Sequence, residues 1–187
     1  MNKIKWLGTI FGLVLLLTGC VSPRPTIGQQ RQAILQMKGE VLAELYQLNP
    51  STRAQINAAP GYAVFNNANV NIILASFGGG YGVVTDNRNG NNTYMRMAEV
   101  GVGLGAGIKD FRVVFVFHNA ETMQRFVEQG WAFGAQADAA AKAGDKGAAV
   151  AGEVTVDNIT IYQLTESGLA LQATVKGTKY WQDDTLN

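Results

Sequence analysis

The sequence predicts an α+β fold with a mainly antiparallel β-sheet, an N-terminal helix and one later helix. Apolar residues recur at helical spacing over 29–48 and again over 119–129, and short apolar runs of strand length fill the chain between and after these segments. Helices that precede or interrupt runs of strands, instead of alternating with each strand, are typical of α+β proteins. The 187 residues suit one domain that follows a short targeting segment.

The first helix is predicted from a stripe of apolar residues three or four positions apart. Its members are Ile34, Met37, Val41, Leu45 and Leu48. The opposite face is not rich in Lys and Arg, which favours a helix that covers the core over one that lies on a membrane. Asn49-Pro50-Ser51 ends this helix and can begin a shorter one that runs through Asn57.

The β-strands are predicted from short runs rich in apolar and β-branched residues. The runs are Tyr62–Phe65, Val70–Phe77, Val83–Thr85, Tyr94–Glu99, Arg112–Phe117, Trp131–Phe133, Ile159–Leu164 and Leu169–Val175. The polar segment Asp86–Asn92 is typical of a hairpin loop. The later helix has Asn119 as a candidate N-cap and Gly130 as a candidate residue just beyond its C-terminus.

Residues 100–108 alternate glycine with an apolar residue. A strand would place all the glycines on one face and the apolar side chains on the other. A phosphate-binding loop is disfavoured because Lys109 is followed by Asp110 instead of Ser or Thr. A membrane-spanning glycine zipper is disfavoured because the apolar run is too short. A soluble helix would lose about 3–4 kcal/mol through four glycines, so a strand is favoured.

The first nineteen residues have the features of a secretory signal peptide. Lys3 and Lys5 supply a basic start, and the apolar run from Trp6 to Leu17 is shorter than the about 20 residues that span a membrane. The following Leu17-Thr18-Gly19-Cys20 resembles the lipobox of bacterial lipoproteins. The resemblance implies cleavage before Cys20, acylation of its thiol and of its new amine, and anchoring to a phospholipid membrane.

Residues 20–28 are predicted to form the lipidated tether and residues 29–187 the folded domain. Val21 follows the cysteine where a protein retained in the inner membrane would carry aspartate. The resemblance therefore implies the outer membrane, with the domain facing the periplasm. Three acyl chains would make this anchoring effectively permanent, since one chain gives only marginal binding. The alternative is a buried structural cysteine near an uncleaved anchor.

The net charge and the numbers of cysteine and histidine residues argue against several classes of function for this chain. Without Lys3 and Lys5 the chain has 13 basic and 14 acidic side chains, so nucleic acid is not an expected partner. Cys20 is the only cysteine, which excludes an internal disulfide. His118 is the only histidine, and no metal site, cofactor or catalytic residue is expected. The chain is therefore predicted not to be an enzyme.

Several motifs along the domain occur in the order found in one family. They are 60–65 (PGYAVF), 78–82 (GGGYG), 100–110, 130–138 (GWAFGAQAD), 161–164 and 168–173. In these motifs the chain resembles the SYLF domains, and their bacterial branch most closely. The resemblance implies a compact, barrel-like, β-rich fold with flanking helices, binding of phospholipids and no known catalytic activity. Actin binding, which is known for some eukaryotic members, is not expected of a periplasmic protein.

Three pairs of cations are candidates for binding an anionic lipid headgroup. The pairs are Lys142 with Lys146, Lys109 with Arg112, and Lys176 with Lys179. The first pair flanks a Gly-Asp turn whose amides could form an anion-binding nest, although a solvated surface turn has the same pattern. The third pair lies near Tyr180 and Trp181, which favour a membrane interface but are equally typical of core packing.

These features predict a non-catalytic, membrane-anchored periplasmic lipoprotein whose domain binds phospholipids. The alternative is a structural cell-envelope protein that acts through a protein partner and binds no lipid. The two hypotheses differ in whether the domain itself contacts lipid.

Overall fold

The computed structural model describes residues 24–72, 75–102, 107–133, 153–165, 168–169 and 176–187. Within these ranges the chain forms three helices, α1 (Ile27–Leu48), α2 (Thr52–Ala58) and α3 (Ala120–Gln129). It also forms nine strands, which are β1 (Gly61–Ile72), β2 (Ala75–Asp86), β3 (Asn92–Val102), β4 (Gly107–Phe117), β5 (Trp131–Phe133), β6 (Glu153–Val156), β7 (Ile159–Thr165), β8 (Gly168–Leu169) and β9 (Lys176–Gln182). Of the described helices, none combines the length and the apolar character needed to cross a membrane.

Helix α1 begins at Ile27 because Thr26 caps it. The Thr26 hydroxyl accepts a hydrogen bond from the Gln29 amide at 3.2 Å, and the Gln29 side chain accepts one from the Thr26 amide at 2.8 Å. This capping box starts the helix two residues before the predicted boundary at Gln29. The buried residues of the helix are Ile34, Met37, Val41 and Leu45, as predicted, whereas Leu48 is exposed.

All nine strands belong to one sheet in which every pair of neighbours is antiparallel. The strand order is β5-β9-β3-β2-β1-β4-β7-β6, and β8 pairs with β7. Within the described ranges β5 and β6 end this path and do not pair with each other, so the sheet is open. The predicted α+β class with a mainly antiparallel sheet is confirmed, while "barrel-like" describes only loosely a sheet whose ends do not meet.

A helix packs against part of each face of the sheet. Because successive side chains of a strand point to opposite faces, the central strands contribute to two separate cores. The α1 face carries valines such as Val64, Val83 and Val114, which pack against α1. The α3 face carries an aromatic core of Phe65, Phe115, Phe126, Trp131 and Tyr180, whose contacting ring centroids lie 4.7 to 6.2 Å apart.

Helix α3 begins and ends as the sequence predicts. The Asn119 side-chain oxygen accepts a hydrogen bond from the Thr122 amide at 2.8 Å, which makes Asn119 the N-cap. Gly130 follows the helix with a φ of 69°, a backbone conformation that favours glycine. Met123 and Phe126 are buried and fasten the helix to the α3 face.

Glycines in β2 serve two different purposes. Gly82 lies opposite Phe65, and a Cβ at Gly82 would lie 2.3 Å from both Phe65 Cδ1 and the Val64 carbonyl oxygen. Glycine is required there because β2 and the Phe65 ring approach closely. A Cβ at Gly79, by contrast, would meet nothing nearer than the Met97 carbonyl oxygen at 4.0 Å. Gly79 therefore leaves open space above the sheet.

Two runs that were predicted as single strands are divided in the structure. The run Val70–Phe77 contains the end of β1 at Ile72 and the start of β2 at Ala75, so it belongs to a hairpin. The glycine segment 100–108 contains the end of β3 and the start of β4, which β2 and β1 separate in the sheet. Residues 103–106 lie outside the described ranges. Apolar periodicity continued across both reversals and therefore did not reveal them.

Candidate functional site

Five of the seven predicted site residues have side chains that lie outside the described part of the chain. Cys20, Lys142 and Lys146 fall outside the described ranges altogether. Lys109 and Lys176 are placed only by their backbone, in β4 and at the start of β9. The structure therefore locates two predicted side chains, those of Arg112 and Lys179.

Arg112 is engaged with α1. Its Nη1 donates a hydrogen bond to Glu44 Oε2, and both side chains are about two-thirds buried. The ion pair joins α1 to β4, which gives Arg112 a structural role. Lys179 lies on β9, and β1, β2 and β3 separate it from Arg112, so the two cations do not form one site.

Lys179 lies on the α1 face, in a part of that face that the helix leaves uncovered. It stands opposite Ala98 in the β3–β9 ladder and is exposed. Trp181, two residues later on the same face, is also exposed. Tyr180 points to the other face and belongs to the aromatic core, where burial and then the charge of Glu99 raise the pKa of its hydroxyl. The two neighbouring aromatics thus have different roles.

Four large apolar side chains are exposed together on this part of the α1 face. They are Phe77, Tyr81, Val100 and Trp181, and we call them the aromatic strip. Phe77 and Val100 stand directly opposite each other and are each 57% exposed. Tyr81 and Trp181 stand on either side of Arg96 in a row across β2, β3 and β9. Opposed side chains on neighbouring strands share a face, so the ladder gathers distant residues into one patch.

A groove of about 480 Å³ lies beside the aromatic strip, between the first turns of α1 and the sheet. It is lined by Gln30, Ala33 and Ile34 of α1, by Gly79, Gly80 and Tyr81 of β2, by Arg96 of β3, and by Asp183 and Leu186 of the C-terminal turn. The open space above Gly79 forms part of the floor. The groove therefore combines apolar walls with one charged group that is partly exposed.

Arg96 is held in place by Asp183. Its Nε donates a hydrogen bond to Asp183 Oδ2 at 2.7 Å, and the acid is 6% exposed while the arginine is 55% exposed. Burial acts to raise the pKa of Asp183, but the hydrogen bonds from Arg96 and from the Thr185 amide, with the charge of Arg96, outweigh it and lower that pKa. Asp183 is therefore ionised at neutral pH. Among the described contacts, none occupies the two terminal amino groups of Arg96.

A buried carboxyl group lies on the opposite face of the sheet. Glu99 accepts a hydrogen bond from Asn67 Nδ2 at 3.4 Å, and both residues are almost completely buried. Asn67 Oδ1 has no hydrogen-bond partner in the described structure. The sheet separates this polar cluster from the aromatic strip, so Glu99 does not pair with Arg96 or Lys179.

Sequence reasoning identified Lys179 and Trp181 but missed Phe77, Tyr81 and Arg96. The three missed residues come close to Trp181 only through strand pairing, which is a long-range relationship. One local signal was available in β2. Phe77, Gly79 and Tyr81 alternate along the strand, so the two aromatic side chains lie on one face with a glycine between them.

Comparison with known proteins finds two similarities. A family model described as "Ysc84: Las17-binding protein actin regulator" matches residues 98–187. Beta cell expansion factor A of Aeromonas veronii is 33% identical over 161 residues, which are 86% of this chain and 60% of that protein. Over residues 98–187 the chain is therefore similar to the SYLF, or Ysc84, family.

The SYLF match includes β9 and the C-terminal turn, which contribute Trp181 to the aromatic strip and Asp183 to the groove. Domains of the SYLF family are generally lipid-binding or actin-regulating, and the family is known as a non-enzymatic binding domain. The chain spans about 60% of the length of the curated relative that it matches.

Proposed function

We propose that this SYLF protein is a lipoprotein anchored to the outer membrane through acylated Cys20, and that its periplasmic domain binds phospholipids and catalyses no reaction. The observation that carries the proposal is the aromatic strip with Arg96 and Lys179 beside it. Exposed aromatic side chains next to cations match the apolar and anionic layers of a membrane interface.

The strip and its cations supply a moderate attraction to a membrane. Each cation close to an anionic surface contributes about 1 kcal/mol, and burial of apolar area contributes about 25 cal/mol per Å². Phe77 and Val100 are more than half exposed, so most of their area is free to be buried at a surface. The strip would therefore orient a domain that the acyl chains already hold at the membrane.

The position of the tether supports the same orientation. Cys20 lies six positions before Thr26, and a chain of that length reaches at most about 20 Å. Thr26 caps α1, whose first turns form one wall of the groove beside the aromatic strip. An acylated Cys20 would thus hold this side of the domain near the membrane. The apolar face of α1 is itself buried in the core, so the helix is not the membrane-contacting element.

Liposome flotation tests the proposal. Residues 21–187, shown to be folded by circular dichroism, are mixed with vesicles of phosphatidylcholine alone or with phosphatidylglycerol added. The domain is expected to float with the anionic vesicles, and a Phe77→Ser/Trp181→Ser double variant is expected to bind about tenfold more weakly. Leu48→Ser is the matched control, because Leu48 is an exposed apolar residue outside the strip.

The remaining predicted cations are tested in the same assay. Charge reversal at both Lys142 and Lys146 is expected to weaken flotation if their turn binds a headgroup, and an unchanged result would remove that assignment. Lys109 and Lys176 are tested in the same way. If the folded domain floats with neither vesicle, the strip is better explained as a protein contact. The structural envelope protein would then become the preferred function.

A further inference from the structure

We infer that the groove is a binding site for a single phospholipid molecule, with Arg96 as the ligand of its phosphate and an acyl chain lying over Gly79. The inference rests on the proposed function and goes beyond it, because a surface can associate with a membrane without holding any individual lipid. Three observations support it, namely the geometry of Arg96, the open space at Gly79 and the position of the groove beside the aromatic strip.

Arg96 has the geometry of a fixed phosphate ligand. Asp183 accepts from Nε at 2.7 Å and is itself held by the Thr185 amide at 3.0 Å, so the guanidinium plane is oriented before any ligand arrives. Among the described contacts, none occupies the two terminal amino groups, and the side chain is more than half exposed. A planar guanidinium with free amino groups matches the oxygens of a phosphate. Lys179 is a second cation on the same face of the sheet, outside the groove lining.

The rest of the groove suits an apolar chain. Ala33, Ile34 and Leu186 contribute apolar walls, and a side chain at position 79 would fill space that is open in the structure. A volume of about 480 Å³ lies within the range of small-molecule sites, which is roughly 300–1,000 Å³. The only carboxylate among the lining residues, that of Asp183, is neutralised by Arg96.

The groove also lies where a membrane lipid could enter it. Tyr81 and Arg96 belong both to the groove lining and to the row that ends at Trp181. A lipid that leaves a bilayer touching the aromatic strip would therefore reach the groove directly beside Tyr81 and Arg96. This continuity favours a membrane phospholipid over a free soluble phosphate as the occupant.

Native mass spectrometry of the full protein tests the inference. The protein is isolated from its host in mild detergent micelles that contain phosphatidylglycerol, and the fraction that retains one non-covalent lipid is measured. The wild-type protein is expected to retain one lipid. Arg96→Gln and Gly79→Leu are each expected to weaken retention at least about tenfold, the first by removing the phosphate ligand and the second by filling the floor.

Matched control substitutions outside the groove show whether a loss of lipid retention is specific to the groove. Arg88→Gln removes an arginine that is also paired with an aspartate at 2.7 Å, but in the β2–β3 hairpin. Gly39→Leu adds the same side chain at an exposed glycine of α1 with no neighbour within 4 Å. Both controls are expected to retain lipid as the wild type does. Thermal unfolding establishes whether each variant is folded. If Gly79→Leu is not folded, the smaller substitution Gly79→Ala is used in its place.

Three results would overturn the inference. The first is that folded Arg96→Gln and Gly79→Leu retain lipid as the wild type does. The second is that the wild type retains no lipid although its domain floats with vesicles. The second result would leave the proposed function intact. The third result comes from an experiment in which inorganic phosphate replaces the lipid. Phosphate binding that depends on Arg96, without lipid retention, would show that the groove recognises a soluble anion.

Discussion

Arg96 and Asp183 are 87 positions apart in the chain, and an ion pair of 2.7 Å joins them across the edge of the groove. The acid is buried in the C-terminal turn, where it also accepts a hydrogen bond from the Thr185 amide. The arginine extends from β3 between Tyr81 and Trp181. One buried carboxylate thus links the end of the chain to the only arginine of the groove lining.

This ion pair predicts a pH dependence of stability. The pKa of Asp183 is lower in the folded protein than its ordinary value of 3.8, so the pair stabilises the fold above that pH. The contribution is lost as the pH falls through the lower, folded-state pKa. Asp183→Asn is expected to reduce the free energy of unfolding by about 1–2 kcal/mol at neutral pH, and by almost nothing well below pH 3.8. Urea unfolding across this pH range measures the difference.

The neighbouring Asp184 provides the control. It is exposed and has no ion-pair partner in the described structure, so Asp184→Asn is expected to change the free energy of unfolding by less than about 0.5 kcal/mol at every pH. Equal effects of the two substitutions at neutral pH would contradict a stabilising role for the Arg96 pair.

Two glycines of the same strand are expected to respond in opposite ways to alanine. Gly82→Ala would place a Cβ 2.3 Å from Phe65 Cδ1 and from the Val64 carbonyl oxygen, and should cost about 1–3 kcal/mol. Gly79→Ala meets nothing within van der Waals distance except one oxygen at 4.0 Å. It should be neutral or stabilise by about 0.4–1 kcal/mol, because alanine restricts the unfolded chain. Thermal unfolding of the two variants tests the contrast.

The parts of the fold that follow from local chemistry could be predicted from the sequence. The stripe from Ile34 to Leu45, the N-cap at Asn119 and the glycine at 130 depend on residues within a few positions of one another, and all are confirmed. Strand ends were harder to predict. The reversal within Val70–Phe77 falls between Ile72 and Ala75, where every residue is apolar, so neither hydrophobicity nor turn-forming residues mark it.

The site was less predictable because strand pairing creates it. Trp181 and Lys179 were found from their local context, but the register that sets Trp181 opposite Arg96 and Arg96 opposite Tyr81 cannot be derived from any one segment. Arg112 illustrates the reverse case. Its position beside a glycine segment suggested a free cation, whereas the fold pairs it with Glu44 of α1.

The structure separates aromatic residues that hold the core from those that do not. Phe115 is buried and contacts Phe65, Phe126 and Tyr180, so Phe115→Ala is expected to cost about 3–5 kcal/mol. Phe77 is mostly exposed, and Phe77→Ala is expected to change stability by no more than about 0.5 kcal/mol. Urea unfolding measures both changes. A large loss for Phe77→Ala would mean that the ring supports the fold and is not available for contact with a membrane.

Substitution of Arg112 is expected to lower stability, whereas substitution of Lys179 is expected to weaken membrane binding. Arg112→Gln breaks the pair with Glu44 and should lower the free energy of unfolding by about 1 kcal/mol or less, without changing flotation with anionic vesicles. Lys179→Gln removes an exposed cation and should weaken flotation without changing stability. Both variants are measured in both assays. Weaker flotation of Arg112→Gln, at unchanged stability, would restore Arg112 as a headgroup ligand.

The N-terminal sequence predicts the mass and the location of the mature protein. If Cys20 is acylated, intact-mass analysis of the protein from its native host will show residues 1–19 removed and residue 20 carrying lipid, whereas Cys20→Ser will remain unacylated. Val21→Asp should keep the acyl chains but move the protein to the inner membrane, which separation of the two membranes by density detects. An unmodified Cys20 with the first nineteen residues still attached would contradict the anchor. The aromatic strip would then have to find a membrane without a tether to hold it there, and its cations alone, at about 1 kcal/mol each, would give only weak binding.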